Sequence, residues 1–303
     1  MLVIAERGSL RAAARELGVP QPALSRSIRE LERELGVPLF ERTARGVTLT
    51  PSGALFLERA KTVRSELRRA QDEIDQFRGV AHGRIVACLS TVPHVSLLGP
   101  ALRPFRDHYP DVHLDIYDGL YPAIEPALRD GTLDFYIGPS PERLPSEFVS
   151  ERLFENTRMI VCRKGHPLAG ARSLRDLKDA EWATTSVTYK AEEEIGPLFA
   201  QYELPAPRLV LQARSALTIL VAVAYNDLLA MMPIQWLEFP MTRDALRRID
   251  VREPLPGPPI CIIRRVGLPL TPAAEYFCDM IRRASTQPER REVARMRARA
   301  AVG

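Results

Sequence analysis

The sequence predicts a mixed α/β protein in two parts: an all-α head that carries one short hairpin, and a larger part in which strands alternate with helices. Three observations predict it. Between Ser9 and Leu35, apolar residues recur at helical spacing in two short runs separated by Gly18 and two prolines. From Phe56 to Phe77 they recur at alternating steps of four and three, the signature of one long helix with a narrow seam. Beyond Gly83 the pattern changes to short apolar runs divided by amphipathic stretches, the alternation that builds an α/β layer structure.

In the first run, Leu10, Ala13, Ala14 and Leu17 form one apolar stripe, and Ser9 precedes it as a residue able to accept from the first free amides. The helix stops at Gly18, and Val19 to Pro22 make a tight connection, since proline is tolerated only in a helix's first turn. A second helix follows, expected to bury Leu24, Ile28, Leu31 and Leu35. Its other side presents Gln21, Ser25, Arg26, Arg29 and Arg33, polar groups that reach base edges and phosphates when such a helix lies in a major groove, and Pro22 stands with them at the DNA-facing start. Arginine is abundant throughout, so two bundle helices with a solvated arginine face are the rival reading. The next segment decides between them. Val37 to Thr50 reads as a hairpin with a polar tip from Arg42 to Gly46, and Arg42 and Arg45 there suit a wing that touches the sugar-phosphate backbone.

The run RGSLRAAARELGVPQPALSRSIRELERELGVPLFERTARGVTLTPSG, Arg7 to Gly53, closely resembles the winged helix-turn-helix of LysR-type transcriptional regulators. The likeness includes the Phe40-Glu41-Arg42 turn and the Thr50-Pro51-Ser52-Gly53 start of the following helix. It implies double-stranded DNA and RNA polymerase as partners, and that Met1 to Arg7 is the closing part of a first helix. One departure is Pro20, where the family more often has a capping serine or threonine.

Composition excludes several other classes. A chain of 303 residues holds two or three domains, and neither a charged leader with an apolar run nor a stretch of about 20 apolar residues occurs, so a cytoplasmic protein without a membrane partner is expected. Cys88, Cys162, Cys261 and Cys278 are far apart, with no metal-ligand spacing, and read as buried apolar residues kept reduced. The formal charge of +4 is placed unevenly: Arg282 to Gly303 holds seven arginines against Glu289 and Glu292, and its end reads as a disordered basic tail.

Thr50 is a good cap and Pro51 suits the first position of the long helix. Its seam is Phe56, Ala60, Val63, Leu67, Ala70, Ile74 and Phe77, and over about 40 Å at ~1.5 Å per residue it needs a partner. A second copy is the economical one; resting on the remainder of the chain is the alternative. The resemblance likewise implies a dimer held by this helix, assembling to a homotetramer. A two-fold pair of heads then reads an inverted repeat.

After the joint at Gly79 to Gly83, strands are expected at Arg84 to Ser90, Val112 to Tyr117, Leu133 to Gly138, Met159 to Arg163, Glu181 to Ser186, Leu209 to Ala213, Asp227 to Met232 and Ile260 to Arg265, in a mainly parallel sheet. The resemblance implies that this half folds like a periplasmic binding protein, as two α/β subdomains. The expected limits are 1–50 for the head, 51–78 for the linker helix, 84–285 for the regulatory part and 286–303 for the tail. The regulatory part divides into 84–161 with 265–285, and 162–264. YPAIEPALRDGTLDF and LPLTPAA resemble most the branch containing the toluenesulfonate-degradation and galactose-binding-protein regulators.

In such a fold a small organic anion or sugar-like effector sits at strand ends between the subdomains. Short hydroxyls and neighbours at those ends are Ser90, Thr91, Tyr121, Pro139, Ser140, Thr185, Ser186 and Ser215, although each hydroxyl equally suits capping its own helix. His94, Tyr189 and Lys190 are further candidates for the wall. An α/β enzyme is one rival reading. The sequence has no nucleophile elbow, phosphate loop or paired histidine and carboxylate spacing, so no catalytic residue, metal or cofactor is assigned. Asp115, Asp118 and Asp134 read as solvated or capping acids. The other rival is a DNA-binding regulator without a small-molecule effector.

Overall fold

The computed structural model describes residues 1–43, 46–78, 82–185, 192–237, 239, 242 and 244–286. They form two compact units, residues 1–71 with 129–132, and residues 72–128 with those from 133 on.

In the first unit, α1 (Leu2–Arg7), α2 (Leu10–Glu16) and α3 (Gln21–Leu35) pack around Ile4, Ala13, Ala14, Leu24 and Ile28. Ser9 caps α2 as expected, its side chain accepting from Ala12 N at 3.3 Å. Pro20 gives α3 no side-chain cap. The expected stripes are shortened at their ends. Leu31 is half-buried, and Leu17 and Leu35 are exposed, because the core of the head reaches no further along α3 than Ile28.

β1 (Phe40–Thr43) and β2 (Gly46–Leu49) pair antiparallel with Phe40 opposite Leu49. Arg42 therefore lies in a strand opposite Val47 rather than at the tip, and Arg45 lies outside the described residues. Glu32 on α3 fixes the hairpin's approach: its carboxylate accepts from Leu39 N at 2.8 Å and Phe40 N at 3.1 Å. α4 (Pro51–Phe77) then begins under Thr50, whose hydroxyl accepts from Gly53 N at 2.9 Å and donates to Pro38 O at 2.7 Å. Gly53 is required by closeness, since a Cβ there would lie 1.9 Å from Leu39 O.

In the second unit, nine strands among the described residues make one sheet in the order β4-β3-β5-β11-β6-β9-β7-β8, with β10 paired to β6. These are β3 (Gly83–Leu89), β4 (Val112–Asp118), β5 (Phe135–Pro139), β6 (Phe148–Arg163), β7 (Glu181–Thr185), β8 (Arg208–Ala213), β9 (Leu228–Pro233), β10 (Leu246–Ile249) and β11 (Pro256–Arg265). The expected mainly parallel sheet is corrected. Only the flanks are parallel, β4-β3-β5 on one side and β8-β7-β9 on the other, whereas β11, β6 and β10 pair antiparallel through the centre. The reason is that β6 and β11 each run across both halves.

Helices α5 (Thr91–Ser96), α6 (Leu98–His108), α7 (Glu125–Arg129) and α10 (Pro272–Thr286) belong to the first half, α8 (Glu192–Gln201) and α9 (Ala216–Tyr225) to the second. The first half's core runs through Phe105, Phe135, Ile262 and Phe277, with a second cluster around Tyr136 and Ile263. The other half is built on Ile160, Trp182 and Phe199, and on Met159, Ile219 and Trp236. Met159 and Val161 thus serve the second core and Ile260 to Ile263 the first, so both strands change halves a few residues before the expected limits at 161 and 264. Of the expected tail, 286–303, Thr286 closes α10 and residues 287–303 lie outside the described residues, as do 79–81 of the joint.

Candidate DNA-reading face, stalk seam and effector cleft

On α3, Leu24 and Ile28 face the core of the head, and Gln21, Pro22, Arg26, Arg29 and Arg33 are exposed, with Ser25 half-buried between them. Gln21, Ser25 and Arg29 recur every four residues and share one strip of the helix surface. The guanidinium of Arg29 donates through Nε to Ser25 O at 3.3 Å, leaving the outer end of the fork to solvent. Exposed guanidinium groups on a helix closed on its other side can meet acceptors outside the chain, and base edges and phosphates are such acceptors.

Along α4, Phe56 and Ala60 are half-buried, and Val63, Leu67, Ala70, Ile74 and Phe77 are exposed, Leu67 at 64% and Phe77 at 93%. Phe56, Ala60, Val63 and Leu67 line a shallow apolar groove flanked by Arg59, Arg64, Arg68 and Gln71. A different side of the helix is already occupied: Ser65 and Arg69 are buried, Arg69 Nη2 donates to Gly131 O at 3.3 Å, and Lys61 meets Asp130 at 3.6 Å. The seam read from the sequence is therefore the side left open.

In the second unit a cleft of about 580 Å³ opens at the ends of the parallel strands of both halves. Four of the expected residues line it: Ser90, Thr91, Pro139 and Thr185. Tyr121 does not. It is buried in the cluster with Tyr136, and its hydroxyl donates to Glu125 at 2.6 Å. Ser140 hydrogen-bonds through its backbone N–H to Pro259 O at 3.3 Å and is not part of the wall, and Ser215 is exposed away from it. Ser186, Tyr189 and Lys190 lie outside the described residues.

Ser90 precedes α5 without capping it, so the local role that a helix-leading serine ordinarily takes is not the one found here. His94 turns back, with Nδ1 3.1 Å from Ser90 O and 4.0 Å from Asp118 Oδ1. Burial pushes the Asp118 carboxyl up, and the His94 charge and the Gly119 N–H pull it partly back. Behind this wall burial, helped by the Asp118 charge, pushes the Cys88 thiol up to about 12. All four cysteines are buried and free, as expected.

Sequence reasoning missed Asn156, Arg158, Gln212, Arg214 and Trp236, which also line the cleft, and it treated Asp118 only as a turn acid. Asp115 is paired with Arg84, and Asp134 accepts from Val86 N at 2.7 Å. Among the described residues no helix is long and apolar enough to cross a membrane.

Residues 1–54 match the family described as bacterial regulatory helix-turn-helix protein, lysR family, and residues 78–286 match the LysR substrate binding domain. Among curated relatives, the HTH-type transcriptional regulator GbpR of Rhizobium radiobacter is 30% identical over 259 residues, 84% of this chain and 84% of its own. The SDS degradation transcriptional activation protein of a Pseudomonas species is 28% identical over 287 residues, 92% of each chain. Both accord with the branch that the sequence resembles. The crystal structure of full-length CbnR complexed with its target DNA shares the fold, with a TM-score of 0.65 at 23% identity over 93% of this chain and 96% of that one. The chain belongs to the LysR family: it is a DNA-binding transcriptional regulator with an N-terminal helix-turn-helix and a C-terminal substrate-binding domain.

Proposed function

We propose that this regulator reads an inverted-repeat operator as a dimer joined through the α4 seam, and adjusts its hold on that operator when a small organic effector fills the cleft. Gln21, Pro22, Ser25 and Arg26 contact bases, while Arg29, Arg33, Arg42 and Arg45 hold phosphates. Dimers associate to a tetramer, and the change in DNA contact alters access of RNA polymerase in the cytoplasm. A ligand shifts such an equilibrium only through different affinity for the two arrangements, so the cleft must differ between them.

The observation that carries the reading is the composition of α3's exposed side, four long polar side chains and a proline against a core-facing Leu24 and Ile28. The test is a binding titration on the DNA upstream of the protein's own gene and on random duplex of equal length. Arg26→Ala weakens binding to the former by about 1–3 kcal/mol, the worth of a bidentate base contact, and leaves random duplex nearly unchanged. Equal loss on both DNAs refutes base reading by Arg26.

A further inference from the structure

Resting on the reading of the cleft as an effector site, we propose that the effector is a monoanionic organic acid, a carboxylate, sulfonate or sulfate ester on an apolar body, with Arg158 as its charge partner and Ser90 and Trp236 as its neutral donors.

Three buried or half-buried donors lining this cleft are short of acceptors. Ser90 is 2% exposed, and its Oγ meets only the buried Tyr136 hydroxyl among the described residues, so the pair is left with one O–H that has no acceptor. Trp236 is 6% exposed, and its Nε1–H, which can only donate, is likewise without an acceptor there. Arg158 is half-buried in β6 and has no carboxylate within salt-bridge reach among the described residues. Its position is fixed by the main chain, N–H to Leu255 O at 2.8 Å. Several other arginines of the same unit do have an acid, among them Arg163 with Asp227, Arg248 with Asp250 and Arg282 with Glu151. A buried donor without an acceptor is costly, and a guanidinium without a counter-ion more so, so a cleft holding all three is completed by a group that only accepts. An ionised acid is such a group. A sugar hydroxyl is not, because it brings a donor of its own for each acceptor.

Charge limits the valence. Asp118 lines the same cleft, and a second negative charge on the ligand would meet that carboxylate. Val92, Leu120, Pro122, Met231 and Met232 make the rest of the wall apolar and, in the methionines, adaptable, which suits a ring or carbon chain rather than a polyol.

The test uses the full chain and matched pairs of probes that differ only in charge: phenylacetate and phenylacetamide, benzenesulfonate and benzenesulfonamide, cyclohexanecarboxylate and its amide, with succinate as dianion and galactose as neutral polyol. Thermal shift and titration calorimetry at pH 7 are expected to show at least one monoanion raising the melting temperature, bound at least tenfold more tightly than its amide. Arg158→Gln then weakens the acid about 10- to 100-fold and leaves the amide unmoved, Arg158→Lys recovers part of the loss because it keeps the charge without the fork, and Trp236→Phe costs a few-fold. Preference for galactose, an amide or succinate overturns the ligand class and leaves the cleft standing as an effector site. An acid that binds equally to wild type and Arg158→Gln overturns the assignment of Arg158. No binding by any probe overturns both this inference and the effector reading beneath it, whereas the operator titration with Arg26→Ala is unaffected by either failure.

Discussion

Arg282 on α10 holds three acids at once, Glu151 through both oxygens at 2.8 Å, Glu275 at 2.8 Å and Asp279 at 2.5 Å. Glu151 belongs to β6, so this guanidinium ties the last helix to the strand that crosses both halves. The hydrogen bonds from Arg282 hold the Glu151 carboxyl below its ordinary value of 4.5. A carboxylate whose folded pKa is depressed contributes stability that is present above the ordinary value and is lost as pH falls through the folded one. Glu151 is nearly half exposed, and solvent screening limits the contribution to about 1 kcal/mol. Arg282→Met therefore lowers the urea-unfolding free energy by about 1 kcal/mol at pH 7, and the difference from wild type shrinks as pH falls below about 4. An equal difference at pH 7 and pH 3 removes the ion pair as its cause. Charged residues of this kind were the least legible in the sequence. Arg158 and Asn156 sit in SERLFENTR, where charges interrupt any apolar alternation, so nothing signalled a strand; β6 is held there by pairing with β11, a partner about a hundred residues away. Ser90 and Thr185 were singled out as short hydroxyls at the ends of apolar runs, a signal that also picked Ser140 and Ser215, which lie off the wall.

At the level of elements, periodicity served well wherever one side of a helix alone had to be buried. α3 and α4 stand where their stripes put them, and β7, β8 and β9 where short apolar runs end in turn residues. It served badly for elements defined by their neighbours: α5, β10 and the first half of β6 are short, or fastened only by pairing. The α4 seam is the sharpest case of a sequence pattern that the single chain does not use. Leu67 and Ile74 are exposed to 64% and 59%, so a charge at either costs the isolated fold little but is buried on pairing. Leu67→Glu combined with Ile74→Glu is expected to sediment as a monomer at concentrations where wild type is dimeric or larger, with a melting temperature within a few degrees of the wild-type value. Retention of the dimer by the double variant assigns self-association to some other surface.

For the whole molecule, the order of parts was legible because each has its own period: two short helical stripes, one long seam, then strands among helices. The cleft was legible only as a location, since its wall gathers residues from sequence positions as distant as Ser90 and Pro258. Symmetry carries the consequence furthest. A helix that pairs with its own copy brings two α3 helices to one DNA under a two-fold axis, and each half-site is then read from the same side of the duplex only when the half-sites stand about 10–10.5 base pairs, or a multiple, apart. Inserting about five base pairs between the half-sites turns one of them by half a helical turn, and inserting about ten restores the face at greater distance. In a footprinting titration of the protected upstream sequence, the five-pair insertion is expected to weaken protection of one half-site at least tenfold and the ten-pair insertion to weaken it less. The Leu67→Glu, Ile74→Glu double variant, having lost the axis, should be indifferent to both insertions and should show a shallower dependence of affinity on salt, because each bound head then neutralises only its own phosphates. Equal protection at all three spacings would mean that the heads bind independently, and that the seam on α4 is covered by something other than a second copy of this chain.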